Sequence, residues 1–234
     1  MKNAIITGAS TGIGLGIAKR FAQAGFNIAI NSRKTEDLER VAAEINALYP
    51  DVKIIYKATD VSQKDQVEAF AKMVQSHFDH LDVLVNNAGT FIPGSTLEEP
   101  EGALEQLMAT NVYSAYHLTR ALLPNMIAQK SGHIFNICSV ASLAAYTASA
   151  AYTISKHALY GFSRTLREEL KPHSIRVTQL HPGAVYTRSW EPSGLPPERM
   201  MSVEDVAETV YSCYQLSERT VIEDLVMRPM LGDI

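Results

Sequence analysis

The stretch Asn3-Ala4-Ile5-Ile6-Thr7-Gly8-Ala9-Ser10-Thr11-Gly12-Ile13-Gly14 decides the fold. A short apolar run without alternation reads as a strand buried on both faces, and the glycines after it read as a tight turn into a helix. Glycines lack a Cβ, so the backbone can turn sharply and come close to an anion. Free N–H groups and the dipole at a helix N-terminus then bind that anion. Gly8, Ser10, Thr11, Gly12, Ile13 and Gly14 are therefore candidate ligands of a dinucleotide pyrophosphate. A bare strand-to-helix turn is the competing reading of such a segment taken alone.

Outward from this turn, runs rich in Ile and Val predict strands at 3–7, 27–31, 52–57, 83–86, 133–138, 176–180 and 221–227. Between them apolar residues recur at helical spacing, as in Ile17, Phe21 and Ala24, or Leu38, Val41 and Ile45, or Val67, Phe70 and Val74. Parallel neighbours need a right-handed crossover of a dozen or more residues, which these helices supply. The expected class is α/β: a doubly wound, Rossmann-type, seven-stranded parallel sheet with helices on both faces. With 234 residues and no linker, repeat or low-complexity tract, residues 1–234 are expected to form a single dinucleotide-binding domain. The one irregular stretch is 182–199, where Pro182, Gly183, Pro192, Gly194, Pro196 and Pro197 oppose regular structure. It is expected to be a substrate lid at the carboxyl edge of the sheet, or else a rigid surface connection.

Composition narrows the partners. Hydrophobic residues at 46% and charged residues at 20% match a globular protein. A net charge of −4 and a pI near 6.0 provide no field for nucleic acid or an anionic membrane, which leaves a small molecule. Cys138 and Cys213 sit in apolar runs without disulfide-framework spacing and read as buried, reduced thiols. The run from Ala4 to Ile6 is broken by Thr7 and Gly8 too soon for a signal peptide or a spanning helix, so the cytoplasm is the expected location. No metal site is expected.

The spacing Thr7-Gly8-x-x-x-Gly12-x-Gly14 is followed in order by Asn86-Asn87-Ala88-Gly89, Asn111, Ser139, Tyr152-x-x-x-Lys156 and Pro182-Gly183. Together these marks resemble the short-chain dehydrogenase/reductase family over essentially the whole chain. The resemblance implies a nicotinamide cofactor. It assigns the adenine to Asp60 and Val61, and the turn beneath the adenosine ribose and the nicotinamide side to Asn87, Ala88 and Gly89. Lys156 is assigned to the nicotinamide ribose, and Pro182, Gly183, Val185 and Thr187 to the carboxamide. It makes Tyr152 the acid that protonates a carbonyl oxygen, and Asn111 the residue that interrupts its helix and holds a water in a proton relay. Asp60 reads equally as a cap of the following helix. One departure is Ser142, where many members carry Gly, and it is expected to reshape the substrate side. Association through the helices of Asn111 and Tyr152 implies a homodimer or homotetramer. Small residues Ala148, Ala150, Ala151 and Ala158 permit close helix approach there, or pack inside the monomer.

The residues themselves refine this picture. Strand two ends in Asn31-Ser32-Arg33 instead of an acid. Arg33 can pair with a 2′-phosphate and Ser32 can donate to it, so NADP(H) is expected, unless Arg33 merely opens a solvated corner with Lys34. Tyr152 and Lys156 are four apart on a helix and share a face. A phenol with a reference pKa of about 10 needs such an ammonium to stabilise its anion. Ser139 can polarise a carbonyl and stabilise the developing oxyanion. Phe91, Tyr146, Tyr186 and Trp190 favour a flat or apolar carbonyl substrate, or serve as lid packing. The C-terminal third, from Gly183 through Trp190 to Arg228 and Asp233, is similar to bacterial sepiapterin reductases. The expected activity is NADPH-dependent reduction of a carbonyl to an alcohol. A 3-oxoacyl-thioester reductase and an NADP(H)-binding redox sensor without turnover are the alternatives.

Overall fold

The computed structural model describes residues 1–188, 190 and 194–234. Seven parallel strands form one sheet in the order β3-β2-β1-β4-β5-β6-β7. They are β1 (Asn3–Ile6), β2 (Asn27–Ser32), β3 (Ile54–Ala58), β4 (Val83–Asn86), β5 (Gly132–Ile137), β6 (Ile175–Pro182) and β7 (Asp224–Met227). The helices are α1 (Gly12–Gln23), α2 (Thr35–Leu48), α3 (Lys64–His77), α4 (Ala103–Met108), α5 (Ser114–Gln129), α6 (Ala150–Leu170) and α7 (Val203–Gln215).

Strand residues alternate between two cores. Ala4, Ile6, Ile28 and Ile30 pack with Ile17 and Phe21 of α1, Leu38 and Ile45 of α2, and Val206 and Val210 of α7. Ile5, Ala29, Leu84 and Ile134 face Val67 and Phe70 of α3, Leu118 and Leu122 of α5, and Leu166 of α6. Burial on both faces explains why the central strands read as unbroken apolar runs. Phe21 anchors the first core, with T-shaped contacts to Phe26, Tyr211 and Tyr214 at 5.0, 5.4 and 5.8 Å. Truncating such a fully buried ring costs about 3–5 kcal/mol.

The strand order reverses at β1, whose neighbours are β2 and β4. Crossovers leave β1 in opposite directions there, opening a crevice at the carboxyl ends of the strands where doubly wound folds bind ligands. Edge strand β7 starts at Asp224, three residues later than expected, where its pairing with Gln179 of β6 begins. Strand β6 is longer, since its pairing with β5 begins at Ile175 and its pairing with β7 carries it on to Pro182. The irregular stretch 182–199 also departs from expectation. Residues Pro197–Arg199 form a 3-10 turn opened by Pro197, whose fixed φ suits a first helical position. The stretch is pinned at its base by a Val185↔Met201 bridge. Pro192 lies outside the described residues.

Candidate functional site

Gly8 and Gly14 allow the glycine-rich turn to close. Gly8 has φ +63°, and a Cβ there would come within 2.9 Å of Ala88 Cα. A Cβ on Gly14 would come within 2.5 Å of both Gly8 O and Asn87 Nδ2. Asn87 explains this crowding, since its Nδ2 donates to Thr7 O at 2.8 Å and Gly8 O at 3.2 Å. The Thr7 hydroxyl accepts from the N–H groups of Asn87 and Ala88. Asn87 and Ala88 thus buttress the turn. Helix α1 opens at Gly12, and Thr11 makes no side-chain cap. The first N–H groups of α1 are therefore available to an anion, and the cradle fits a pyrophosphate.

Arg33 and Lys34 are exposed just beyond β2, and the Ser32 hydroxyl donates to Lys34 O at 3.3 Å. Arg40, missed in the sequence, reaches the same corner: its Nη2 donates to Ser10 O at 3.3 Å and lies 3.8 Å from Asp37 Oδ1. The signal was its place one turn along α2 from Asp37. Asp60 does not cap α3, whose N-cap is Gln63. Its Oδ1 accepts instead from the N–H and hydroxyl of Ser62, at 3.0 and 2.7 Å, in a local turn, with Val61 half-buried beside it.

Three elements converge on the other side of the switch point. Helix α6 carries Tyr152 in its first turn and Lys156 one turn later. Lys156 is 5% exposed, with Nζ 5.6 Å from the centre of the Tyr152 ring and 2.9 Å from Ile137 O, to which it donates. Ser139 follows β5 and caps a 3-10 turn, its Oγ accepting from Ala141 N–H at 3.1 Å. That leaves the hydroxyl hydrogen free to be donated. Asn111 lies in a π-turn, Ala109–Tyr113, between α4 and α5, the helix interruption that the resemblance implied. Its Nδ2 spends both hydrogens, on Thr90 O and Ser155 Oγ, each at 3.0 Å. Its Oδ1 accepts from Thr90 N–H at 2.8 Å, so the Asn111 side chain is a strut between the turn after β4 and α6. A Cβ on Gly89 would meet Asn111 Oδ1 at 3.3 Å and Lys156 Nζ at 3.7 Å, which joins these residues in one place.

Ser142 turns inward instead of lining the substrate side. It is 1% exposed, and its Oγ accepts from Ser139 N–H at 3.2 Å. Burial pushes the neighbouring Cys138 thiol up to about 11, against the lowering charge of Lys156, so it stays protonated and unreactive. Both cysteines are free and buried. Among the described residues, no group of three His, Cys, Asp or Glu is placed to hold a metal ion.

Pro182 ends β6, and Gly183 N–H donates to Met227 O at 2.8 Å. Thr187 crosses to the cradle, its Cγ2 lying 3.1 Å from where a Gly12 Cβ would be. The Phe91 ring meets Tyr152 edge-on at 5.1 Å and Tyr146 at 6.3 Å. The C-terminal tail folds back over Gly183: Asp233 Oδ1 would lie 3.1 Å from a Cβ there, and Asp233 is ion-paired with Arg228. Arg199 holds the tail by donating to the carbonyls of Leu231, Gly232 and Asp233. Ala151 packs inside the monomer with Ala103 and Leu107, whereas Ala148 is exposed.

The model of the short chain dehydrogenase family matches residues 2–195. The chain belongs to that family. It is 35% identical to the sepiapterin reductase of Chlorobaculum tepidum, over 98% of this chain and 97% of that protein. Among solved structures, this dehydrogenase superposes on an alcohol dehydrogenase from Thermococcus sibiricus complexed with 5-hydroxy-NADP. There the TM-score is 0.92 and the identity 29%, over 100% and 99% of the two chains. It also superposes on the L-sorbose reductase of Gluconobacter frateurii complexed with NADPH and L-sorbose, with TM-score 0.89 and 29% identity over 96% and 94% of the chains. No helix of the described residues is long and apolar enough to cross a membrane.

Proposed function

We propose that this short-chain dehydrogenase reduces a small-molecule carbonyl to an alcohol with NADPH, with Tyr152 as the proton donor. The observation that carries the reading is the convergence of Gly89, Asn111, Tyr152 and Lys156 beside Ser139, at the sheet end that also bears the phosphate cradle. Bound NADPH supplies the hydride. Tyr152 Oη gives its proton to the substrate oxygen, and the Lys156 ammonium stabilises the phenolate left behind. The Ser139 hydroxyl donates to the same oxygen as charge develops. Arg33 and Ser32 take the 2′-phosphate, and the solved NADP and NADPH complexes of similar chains support that choice. Asp60 and Val61 serve the adenine, and Gly183, Val185 and Thr187 the nicotinamide.

For the substrate we favour a pterin or a similarly flat compound with a dicarbonyl side chain. The supports are the similarity to a sepiapterin reductase, the aromatic side chains Phe91, Tyr146 and Tyr186, and the Asp233 carboxylate over Gly183, an acceptor for ring N–H groups. The exposed side chains Tyr113 on the π-turn of Asn111, Tyr116 on the α5 that follows it and Ile154 on α6 support a homodimer or homotetramer. The two free, buried thiols suit the cytoplasm.

The test is NADPH absorbance with sepiapterin, an acetoacetyl thioester, diacetyl and simple aldehydes. Sepiapterin should be reduced fastest, and Tyr152→Phe should lose most turnover while binding NADPH. Preference for the thioester would replace the pterin reading. Binding of NADPH without oxidation of it by any carbonyl would mark a redox sensor and overturn the enzymatic reading.

A further inference from the structure

The loop from β4 to α4 contains a carboxylate with an unusual attachment. Glu99 Oε1 accepts from the Ala151 N–H at 2.9 Å and from the Ser149 hydroxyl at 3.1 Å, and Oε2 accepts from Ala151 N–H at 3.2 Å. Ser149 Oγ in turn accepts from the Tyr152 N–H at 3.2 Å. Ser149 and Ala151 are 0% and 1% exposed, so water does not compete for these groups. The same loop is bonded again through Gly94 N–H to Ala148 O at 2.8 Å. A helix N-terminus leaves N–H donors without partners and favours negative charge. Here both needs are met by a side chain about fifty residues away in sequence.

These bonds converge on the turn that carries Tyr152. One helical turn on, α6 is fixed separately, by Lys156 to Ile137 O and by Asn111 to Ser155. Glu99 is thus the outer of two attachment points on α6, with Tyr152 between them. The same loop carries Phe91, whose ring rests edge-on against Tyr152.

We propose that Glu99 is a positioning residue for Tyr152: its carboxylate, directly and through Ser149, sets the first turn of α6 and so the place of the phenol. This rests on the reading of Tyr152 as the proton donor. A displacement of about 1 Å at a reacting group can cost about 100-fold in rate, so a loosened turn is felt in turnover before cofactor binding.

The test measures kcat, KM, NADPH affinity by fluorescence, and the isotope effect on kcat with NADPH deuterated at the transferred position. It uses the whole enzyme and a carbonyl that the wild type reduces, with Glu99→Ala, Glu99→Gln and Tyr152→Phe compared. Glu99→Ala should lower kcat by about tenfold, leave the NADPH Kd within about twofold, and raise the isotope effect as the chemical step slows. Glu99→Gln, which keeps an acceptor for Ala151 N–H, should recover part of that loss. Should the Ala variant not fold, the Gln variant carries the test, with a kcat loss of about threefold expected. Normal kcat in the folded Glu99 variants beside an inactive Tyr152→Phe would overturn the positioning role. So would an NADPH affinity that falls in step with kcat, the mark of general loosening. A Tyr152→Phe enzyme that still turns over would instead overturn the site reading, and this inference with it.

Discussion

The Lys156 ammonium donates to the Ile137 carbonyl at 2.9 Å, joining α6 to the end of β5 two residues before Ser139. One cation thus fixes the distance between the helix of the proposed acid and the strand of the proposed oxyanion donor. Lys156→Ala should leave the Ile137 carbonyl without its donor, at a cost of about 1–3 kcal/mol, and lower both turnover and NADPH affinity. Thermal unfolding and NADPH titration check the two effects separately. Unchanged cofactor affinity would count against the ribose role.

Arg33 is exposed at the carboxyl end of β2. Arg33→Asp replaces the proposed donor to the 2′-phosphate with a carboxylate that would repel it and accept ribose hydroxyls. A charge-assisted hydrogen bond contributes about 1.5–3 kcal/mol, so the NADPH-to-NADH ratio of kcat/KM should fall at least about tenfold. A ratio that does not move makes Arg33 a solvated surface charge.

Ser142 and Ser139 form a reciprocal pair: each hydroxyl accepts from a backbone N–H of the 3-10 turn. Ser142→Ala leaves the buried Ser139 N–H without its acceptor and should destabilise the fold by about 1 kcal/mol. Turnover should drop with it while the NADPH Kd holds, because Ser139 loses its seat and the cradle does not. The melting temperature and kcat of the one variant answer both points.

His133 lies in central strand β5, 0% exposed and stacked on Phe135 at 3.9 Å. The Thr178 hydroxyl donates to Ile222 O at 2.6 Å, so it accepts from His133 Nε2–H at 2.8 Å, and Nδ1 has no partner among the described residues. The ring is therefore neutral. Burial first, and the charge of Arg176 second, hold its pKa well below the ordinary 6.5. Below about pH 6.5 the unfolded chain takes up a proton that the folded chain refuses, so stability rises with pH through that range and is full above it. On acidification His133 should cost up to about 1.4 kcal/mol per pH unit, until the folded pKa is reached. Unfolding at pH 5 and pH 7 measures this, and a His133→Gln variant with an unchanged pH slope would contradict it.

The sequence by itself determined the layered sheet, because central parallel strands must be apolar on both faces and helices must keep an apolar stripe. Ala4 to Ile6 and the Ile17, Phe21 pattern carry that information locally. The tight glycine turn into α1 and the shared face of Tyr152 and Lys156 were legible too, since glycine spacing and a four-residue helical separation are local rules. What the tertiary structure decided are partners far apart in the chain. Ser142 turned inward to Ser139, Ala151 went into the monomer core, and Asp60 served Ser62 rather than α3. Glu99 reached α6 across a distance in sequence that no periodicity spans, and Asp233 came to rest over Gly183 where Arg199 holds the tail and Arg228 pairs with the carboxylate. A buried N–H or carbonyl must find some partner, but which one it finds depends on how the elements pack.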